Sequence, residues 1–363
     1  MDRVRPPRPE LAGLRPYTDA EIPAEVVLSA NENPAELPAD LVEKLSRIVK
    51  SGCAFNRYPD PMATELRELI AEANGLEPGN VLVGNGGDEL IFDLMLAWGG
   101  PGRTLLDCPP TFVMYGIDAR VTGTERAIVQ RTESFDVDEP AVMERLEEGV
   151  DLVFIANPNN PTGNVTPETT LIDVLHTTDA LVLVDEAYFE FSRHTMRPHM
   201  DRNPNLAVLR TFSKAFCLAG MRIGYLLAHE DVVSELTKVR QPYSVDRFSQ
   251  QVAATVFRER AAFESGIREI VRQRGVVYDA LKAMPGVTPY PSEANFLLFR
   301  VPDAHAVWRE LLERYSVLVR DFSGNPRIGD CLRVTIGHEN ENERFLEALS
   351  ETLARRAAAD GEG

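Results

Sequence analysis

The sequence has 363 residues, of which 44% are hydrophobic, and a formal net charge of -18. This length exceeds the size at which a single hydrophobic core usually stops growing, so it predicts two domains. The acidic balance argues against nucleic acid and anionic membranes as partners, because both repel a negatively charged surface.

The four cysteines, Cys53, Cys108, Cys217 and Cys331, include neither a C-x-x-C pair nor a zinc-ligand spacing. They are typical of reduced thiols in a cytosolic protein, and we expect no bound metal. The N-terminal stretch MDRVRPPRPE lacks the apolar core of a signal peptide, and no apolar run approaches the length of a membrane span. We therefore expect a soluble, cytoplasmic protein.

The first two thirds of the chain predict an extended arm followed by alternating strands and helices. Residues 1–30 are rich in proline, and helical spacing follows at 39–50 and 62–75. Helix-like segments such as 88–99 and 140–149 then separate short apolar runs. Those runs are 81–84, 104–108, 127–130, 152–157, 181–188, 206–211 and 223–228. Continuous apolar strands separated by helices predict an α/β fold with a mostly parallel, seven-stranded central sheet.

After about residue 230 the pattern changes to long helices, and then to strands around one amphipathic helix at 306–315. The later strand-like runs are 295–300, 317–320 and 332–337. This order predicts a second, smaller α+β domain. The predicted units are an arm that joins the small domain (1–45), a large domain (46–255) and a C-terminal small domain (256–363).

Polar residues at the ends of the predicted strands are informative together, because ligands of open α/β sheets bind outside the carboxyl ends of the strands. VLVGNGGDE (81–89) ends a strand with glycines and opens a helix at Asp88. The free N–H groups of such a turn suit a phosphate, although an ordinary tight turn has the same residues. The prolines of ANPNNPTG (156–163) predict a rigid loop, in which an asparagine either orients a ligand or caps the turn.

Two further stretches carry ionisable groups in apolar surroundings. Asp185, in VDEAYFEF (184–191), is costly to bury unless it is paired, either with a protonated ring nitrogen or in a structural salt bridge. In TFSKAFCLAGMRIGY (211–225), Thr211, Ser213 and Arg222 could hold a phosphate dianion. Lys214, partly desolvated and near that arginine, could have a lowered pKa and act as an amine nucleophile, whereas most lysines lie on the surface.

A phosphate cup, an acid for a pyridinium nitrogen, a group for a phenolic oxygen and a reactive lysine are what pyridoxal 5′-phosphate requires. The stretches ANPNNPTG, VDEAYFEF, RTFSKAFCLAGMRIGY and CLRVTIG, in this order, resemble those of the fold-type I pyridoxal-phosphate aminotransferases of classes I and II. Within that family the chain is most similar to the histidinol-phosphate aminotransferases. The additional similarities are LSANENP, NRYPDP, GNGGDELI, PPTFVMY and PSEANFLLF, and the likeness runs from about residue 15 to the C-terminus.

The resemblance implies a role for each candidate residue in binding the cofactor. Lys214 would form the internal aldimine and move the substrate proton, and Asp185 would pair with the pyridinium nitrogen. Tyr188 and Asn160 would hydrogen-bond the ring hydroxyl, and Phe112 would stack on the ring. The phosphate would be held by Gly87, Asp88, Thr211, Ser213 and Arg222.

The resemblance also implies substrate contacts and a partner subunit. Arg333 would bind the substrate carboxylate, with Arg320, Tyr17 and Asn31 as helpers. Since a guanidinium can grip either a carboxylate or a phosphate monoester, Arg333 could serve both halves of a ping-pong cycle. Tyr58 would reach the cofactor phosphate of the neighbouring subunit, which implies a homodimer with shared sites.

Four positions depart from the common pattern of the family. Gly87 replaces a frequent serine, and Phe112 replaces a frequent tyrosine. Cys217 stands where glycine or alanine is usual, and we interpret it as a small packing residue. Asp246 replaces a frequent asparagine near the expected substrate side, so we expect it to bear on substrate preference.

The expected reaction converts histidinol phosphate and 2-oxoglutarate to imidazole-acetol phosphate and glutamate, as in histidine biosynthesis. An aromatic amino-acid aminotransferase is an alternative, because such enzymes share nearly all of these motifs. A threonine-phosphate decarboxylase, with the same cofactor and a phosphate-bearing substrate, is a second. A ligand-sensing regulator with this fold is disfavoured, because it would need a DNA-binding domain, for which there is no room before residue 15, and because of the acidic charge.

Overall fold

The computed structural model describes residues 5, 7–11, 13–14 and 22–360, which form two β-sheets flanked by helices. The strands in the described part are β1 Val26–Leu28, β2 Val81–Gly84, β3 Thr104–Asp107, β4 Glu125–Ile128, β5 Leu152–Ala156, β6 Leu181–Asp185, β7 Leu206–Thr211, β8 Gly224–Leu227, β9 Thr288–Pro289, β10 Phe296–Arg300, β11 Val317–Asp321 and β12 Cys331–Thr335. The α-helices there are α1 Ala39–Lys50, α2 Thr64–Asn74, α3 Gly86–Trp98, α4 Val113–Thr122, α5 Glu139–Glu147, α6 Glu168–Thr177, α7 Phe189–Ser192, α8 Glu230–Val239, α9 Arg247–Arg258, α10 Glu264–Ala283, α11 Ala304–Tyr315 and α12 Glu339–Asp360.

The larger sheet has seven strands in the order β2-β8-β7-β6-β5-β3-β4, and only β8 runs antiparallel to its neighbours. All five residues of β5 are buried, and so are all five of β6. Alternate residues of β5 belong to different apolar clusters, with Phe154 on one face and Ile155 on the other. Both faces of the sheet are therefore covered, and the predicted α/β fold with a mostly parallel seven-stranded sheet is confirmed.

The smaller sheet has the order β1-β11-β12-β10-β9. β1 pairs in parallel with β11, with Val26 opposite Val317, and the other pairs are antiparallel. Arg320 of β11 lies opposite Arg333 of β12, so the two guanidinium groups start from neighbouring points of one sheet. The domain boundaries predicted at 45/46 and 255/256 stay a prediction.

Helix α3 begins at Gly86, two residues before the predicted start at Asp88. Gly86 has a φ of 82°, and a Cβ placed on it would lie 2.6 Å from Nη2 of Arg222. A glycine is required there because the turn is left-handed and Arg222 packs directly against it. The turn therefore becomes helical earlier than the position of the first charged residue suggests.

None of the helices in the described part of the chain combines the length and the apolar character needed to cross a membrane.

Candidate active site

A cavity of about 410 Å³ lies where the carboxyl ends of the large-sheet strands meet the smaller sheet. Ala156, Asp185 and Thr211 contribute the ends of β5, β6 and β7, while Arg320 and Arg333 reach it from β11 and β12. Thirteen predicted site residues line it: Asn31, Gly87, Asp88, Phe112, Asn160, Asp185, Tyr188, Thr211, Ser213, Lys214, Arg222, Arg320 and Arg333. Tyr58 does not line it, and Tyr17 lies outside the described residues.

Lys214 follows β7 and reaches the cavity between two arginines. Its Nζ donates a hydrogen bond to the Ala30 carbonyl oxygen at 3.0 Å. Burial, together with the cationic Arg333 and Arg222, lowers the pKa of this amine to about 8. At neutral pH a useful fraction of the amine is therefore unprotonated, which suits both nucleophilic attack and proton transfer.

Asp185 ends β6 with its carboxylate 94% buried and facing the cavity. Its Oδ2 accepts a hydrogen bond from the Tyr115 hydroxyl at 2.7 Å, and its Oδ1 accepts one from the Ala187 N–H at 3.1 Å. Burial raises the pKa of this carboxyl to about 6, although both hydrogen bonds act in the opposite direction. An acid in this setting gains from a cationic partner in the cavity.

The candidate phosphate end of the cavity combines the first turn of α3 with the loop after β7. The Thr211 hydroxyl donates to Ser213 Oγ at 3.0 Å, and Ser213 N–H donates to Thr211 Oγ1 at 3.0 Å. Arg222 donates to Asp88 Oδ2 at 3.0 Å. The free N–H groups at the start of α3, the two hydroxyls and the guanidinium form a donor set suited to a dianion.

The backbone of this turn is set by a close approach of β8. A Cβ placed on Gly224 would lie 2.7 Å from the carbonyl carbon of Gly86 and 2.7 Å from the nitrogen of Gly87. Only a glycine lets β8 approach the turn this closely. The pairing of β8 with β2 therefore fixes the position of the N–H groups at the start of α3.

The loop ANPNNPTG is locked mainly by Asn159, which is fully buried. Its Nδ2 donates to the Pro110 carbonyl at 2.9 Å, and its Oδ1 accepts from the Thr111 hydroxyl at 2.7 Å. The neighbouring Asn160 is left to face the cavity, where its Oδ1 accepts a hydrogen bond from Arg333 Nη1. The loop that the prolines predict to be rigid is therefore held in place by Asn159, and Asn160 faces the cavity.

Arg333 connects the smaller sheet to the cavity. Its Nη2 donates to the Ser29 carbonyl at 2.7 Å, and its guanidinium lies 5.2 Å from the ring centre of Phe296 and 5.7 Å from that of Phe322. The side chain is held between a backbone carbonyl and two aromatic rings, with Asn160 on its other side. A guanidinium fixed in this way can present paired donors to a carboxylate or a phosphate.

Tyr188 lies between the two sheets. Its hydroxyl accepts a hydrogen bond from Asn31 Nδ2 at 2.9 Å, and its ring packs edge-on against Phe296. Burial raises the pKa of this phenol to about 12, so it carries its proton at neutral pH. It can therefore donate one hydrogen bond to an oxygen in the cavity.

Tyr58 is 77% exposed, and its ring stacks on Tyr243 with a centroid distance of 4.7 Å. The position leaves the side chain open to another molecule. Its predicted contact with a neighbouring subunit stays a prediction.

Sequence reasoning missed Tyr115 and the backbone carbonyls of Ser29 and Ala30. Tyr115 is fully buried in α4, with its ring edge-on to Phe112 and Phe154, so it reads as a core residue. The sequence signal that could have placed Tyr115 near the cavity is its position three residues after Phe112, which precedes the same helix.

Asp246 and Cys217 both lie outside the residues that line the cavity. Asp246 caps α9, with Oδ1 accepting from the Ser249 N–H at 2.9 Å. A helix cap explains its carboxylate without any contact with substrate. Cys217 is partly buried against the main apolar cluster, and burial raises the pKa of its thiol to about 11.

The residues of the cavity fit pyridoxal 5′-phosphate. The buried Asp185 forms no ion pair within the described part of the chain and matches a protonated ring nitrogen. Phe112 offers a ring face, and Lys214 offers a partly unprotonated amine. The donors around Arg222 match a phosphate.

Comparison with known sequences gives a consistent family. Residues 23–349 match the profile of the family described as aminotransferase class I and II. A histidinol-phosphate aminotransferase of Thermococcus kodakarensis is 43% identical over 344 residues, covering 95% of this chain and 97% of that protein. One of Caldanaerobacter subterraneus subsp. tengcongensis is 38% identical over 352 residues, covering 96% and 98%.

Solved structures share the fold. The histidinol-phosphate aminotransferase from Sinorhizobium meliloti in complex with pyridoxal-5'-phosphate has a TM-score of 0.84 and 22% identity, covering 92% of this chain and 91% of that one. The L-threonine-O-3-phosphate decarboxylase from Porphyromonas gingivalis has a TM-score of 0.80 and 25% identity, covering 91% and 99%.

Proposed function

Because the chain belongs to the class I and II aminotransferase family, we propose that it transfers the amino group of histidinol phosphate to 2-oxoglutarate. It is a pyridoxal-phosphate-dependent aminotransferase. The observation that supports the substrate proposal is the presence of guanidinium groups at two ends of one cavity, Arg222 at one and Arg320 with Arg333 at the other. One end suits the cofactor phosphate, and the other suits the anionic group of a substrate.

Pyridoxal 5′-phosphate, once bound, supplies an electron sink that stabilises negative charge at the amine-bearing carbon. In this proposal Asp185 keeps the ring nitrogen protonated, since ion pairing favours both charged partners. Lys214 takes the proton from the amine-bearing carbon and returns it, because its amine has a pKa of about 8. Tyr188 and Asn160 orient the cofactor ring by hydrogen bonds.

Arg333 and Arg320 bind the phosphate of histidinol phosphate in one half-reaction and the carboxylate of glutamate in the other. Both ligands present paired oxygens to a planar guanidinium, so one site serves two substrates. The 36–43% identity of the curated histidinol-phosphate aminotransferases over nearly the whole chain supports this assignment.

The substrate proposal is tested by measuring kcat/KM for histidinol phosphate and for phenylalanine, each with 2-oxoglutarate. We expect histidinol phosphate to be preferred by about 10²-fold or more, because its phosphate dianion can bind both Arg333 and Arg320, whereas phenylalanine offers them only a singly charged carboxylate. A preference for phenylalanine would indicate an aromatic aminotransferase instead. Release of carbon dioxide from threonine phosphate without a keto acid would indicate a decarboxylase.

The role of Lys214 is tested with Lys214→Ala, and Lys238→Ala on the exposed side of α8 is the matched control. We expect Lys214→Ala to lower the rate of the half-reaction by about 10⁴-fold or more, since it removes both the nucleophile and the proton carrier. Lys238→Ala should keep the wild-type rate. Full activity in Lys214→Ala would exclude every reaction proposed for this cavity.

We further propose a homodimer in which Tyr58 contributes to the site of the partner. Tyr58→Ala and Lys214→Ala would each be weakly active alone. A mixture of the two should regain activity, because one hybrid site combines an intact Lys214 with an intact Tyr58. A monomer by light scattering, or no recovery on mixing, would contradict the shared site.

The cytoplasmic location stays a prediction, which the four free cysteines support.

A further inference from the structure

A second cavity, of about 610 Å³, lies on the other face of β7 from the candidate active site, and Tyr225 of β8 also lines it. Successive residues of a strand point to opposite faces, so Thr211 lines the first cavity and Arg210 lines the second. The remaining walls come from the ends of α2 and α9, from α7 and from the start of α10. Nothing in the proposed reaction uses this space.

The inner wall of the second cavity carries a carboxylate, Glu190, one oxygen of which has no hydrogen-bond partner among the described residues. Glu190 is 94% buried, and its Oε2 accepts no hydrogen bond within the described part of the chain. Burial raises the pKa of this carboxyl to about 7, although Arg210 and Arg193 act in the opposite direction. A buried acceptor that is left unsatisfied is costly, and a donor in the cavity would remove that cost.

The nearby Arg210 is not available to a ligand, because its own partners already satisfy it. It pairs with Glu186 at 3.0 Å and donates to Thr195 Oγ1 at 2.7 Å. Its guanidinium also lies 3.7 Å from the centre of the Phe189 ring. Glu190 Oε2 is therefore an oxygen of the inner wall that still lacks a hydrogen-bond donor among the described residues.

The rim of the second cavity carries exposed arginines, and one of them has no counter-ion. Arg193 pairs with Glu264 at 2.6 Å, and Arg258 pairs with Glu65 at 2.5 Å. Arg260 forms no ion pair in the part of the chain that the structure describes. It donates to the Phe257 carbonyl at 2.9 Å, and its guanidinium lies 4.8 Å from the centre of the Phe257 ring.

Arg197 also lines the cavity, where it pairs with Asp201 at 3.6 Å and donates to the Gly75 carbonyl at 2.8 Å. The Nε of Arg197 is buried and has no hydrogen-bond partner among the described residues. The cavity therefore holds an acceptor, Glu190, and an exposed donor, Arg260, with no hydrogen bond or ion pair between them among the described residues. A ligand with both a donor and an acceptor satisfies both kinds of group at once, and the rings of Phe189, Phe216 and Phe257 suit an apolar side chain.

We propose that the second cavity binds a small α-amino acid with an apolar side chain, its ammonium group on Glu190 and its carboxylate on Arg260. The ammonium group replaces the missing donor at a buried carboxylate. The carboxylate meets a guanidinium that presents paired N–H groups. This binding does not depend on which substrate the active site takes.

The test is isothermal titration of the holoenzyme after borohydride reduction has fixed the cofactor to Lys214, which blocks exchange at the active site. The probes are L-phenylalanine, phenethylamine, which lacks the carboxylate, and 3-phenylpropionate, which lacks the amine. We expect one phenylalanine per subunit, and binding at least about tenfold weaker for each truncated probe, since each loses one charge-assisted contact. Equal binding of the three probes would show that neither charged contact contributes, and no binding of phenylalanine would show that the cavity takes no such ligand; either result would overturn the proposal.

Two variants locate the binding. Glu190→Gln and Arg260→Gln should each weaken phenylalanine binding by at least about tenfold and leave kcat for the proposed reaction unchanged, since neither residue lines the active site. Glu313→Gln and Arg309→Gln, on the exposed side of α11, are the matched controls and should bind as the wild type does. Arg260 is exposed, so its variant decides the question even if Glu190→Gln folds poorly. Unchanged binding in both cavity variants, or equal loss in the controls, would overturn the proposal.

Discussion

Two adjacent buried carboxylates, Asp185 and Glu186, have opposite surroundings. Glu186 accepts hydrogen bonds from the Met196 N–H at 2.6 Å and the Thr195 hydroxyl at 2.8 Å, and it pairs with Arg210 at 3.0 Å. It is fully buried, and every partner comes from the same side of the sheet. Such a group stabilises the local fold and has no capacity left for a ligand.

Asp185 is almost as buried, but its surroundings lack a cation. The Tyr115 hydroxyl and the Ala187 N–H are its hydrogen-bond partners, and no ion pair forms within the described part of the chain. The two kinds of buried acid therefore differ in their partners. The structural one is saturated by the protein, and the one that faces the cavity lacks a positive charge that a ligand can supply.

The largest expected effect is the loss of stability in Glu186→Gln. The change leaves the buried Arg210 guanidinium without its counter-ion, and we expect a loss of about 3–5 kcal/mol in the free energy of unfolding. Urea unfolding of the cofactor-free protein measures it. The activity of the fraction that remains folded should stay near that of the wild type. Unfolding at the wild-type urea concentration would show that the pair adds nothing to stability.

Asp185→Asn should have the opposite effects, a large loss of activity and no loss of stability. We expect kcat/KM to fall by about 10²–10³-fold, because an amide cannot keep a ring nitrogen protonated. The cofactor-free variant should unfold at a urea concentration equal to or above that of the wild type, since a buried carboxylate without a counter-ion has been removed. A marked loss of stability with activity retained would assign Asp185 the structural role.

Tyr115→Phe tests the hydrogen bond that partly compensates for the missing cation at Asp185. The hydroxyl stabilises the charged carboxylate, so its loss should raise the pKa of Asp185 further above about 6. We expect activity to fall by about tenfold at pH 6 and by less at pH 8, where the carboxylate ionises anyway. Tyr290→Phe, which removes a hydroxyl bound to Arg300 at a residue that does not line the cavity, is the control. An equal loss at both pH values would indicate a packing defect.

A further expected effect concerns Lys214, whose pKa in the folded protein is about 8, below its ordinary value of 10.5. Between these values the unfolded chain binds more protons, so stability rises with pH over this interval. Lys214→Met should therefore be more stable than the wild type at pH 7.5, with a difference that shrinks as the pH approaches 10.5. Urea unfolding of the two cofactor-free proteins at several pH values gives this difference. A difference that does not change with pH would contradict the lowered pKa.

The sheet and much of the cavity could be predicted because they depend on local pattern. The runs 152–156 and 181–184 are apolar along their whole length, as strands covered on both faces must be, and Asp185 follows the second run as a visible exception. The residues that support the cavity could not be predicted in the same way. Tyr115 has the pattern of a core residue, and its contact with Asp185 spans 70 positions of the sequence. Sequence alone also does not tell which of Asn159 and Asn160 holds the loop and which faces the cavity, because this depends on which side chain the fold buries.

The segment Ser29–Asn31 has a consequence for the order in which the protein is made. Ser29 O accepts from Arg333, and Ala30 O accepts from Lys214, across sequence separations of 304 and 184 residues. The ribosome synthesises residues 29–31 early, and these residues can contact Arg333 only after β12 has left the ribosome. We therefore expect the substrate end of the cavity to close late in folding, since contacts of such long separation form slowly. Until then the emerging chain holds a lysine and a cavity that is still open to water.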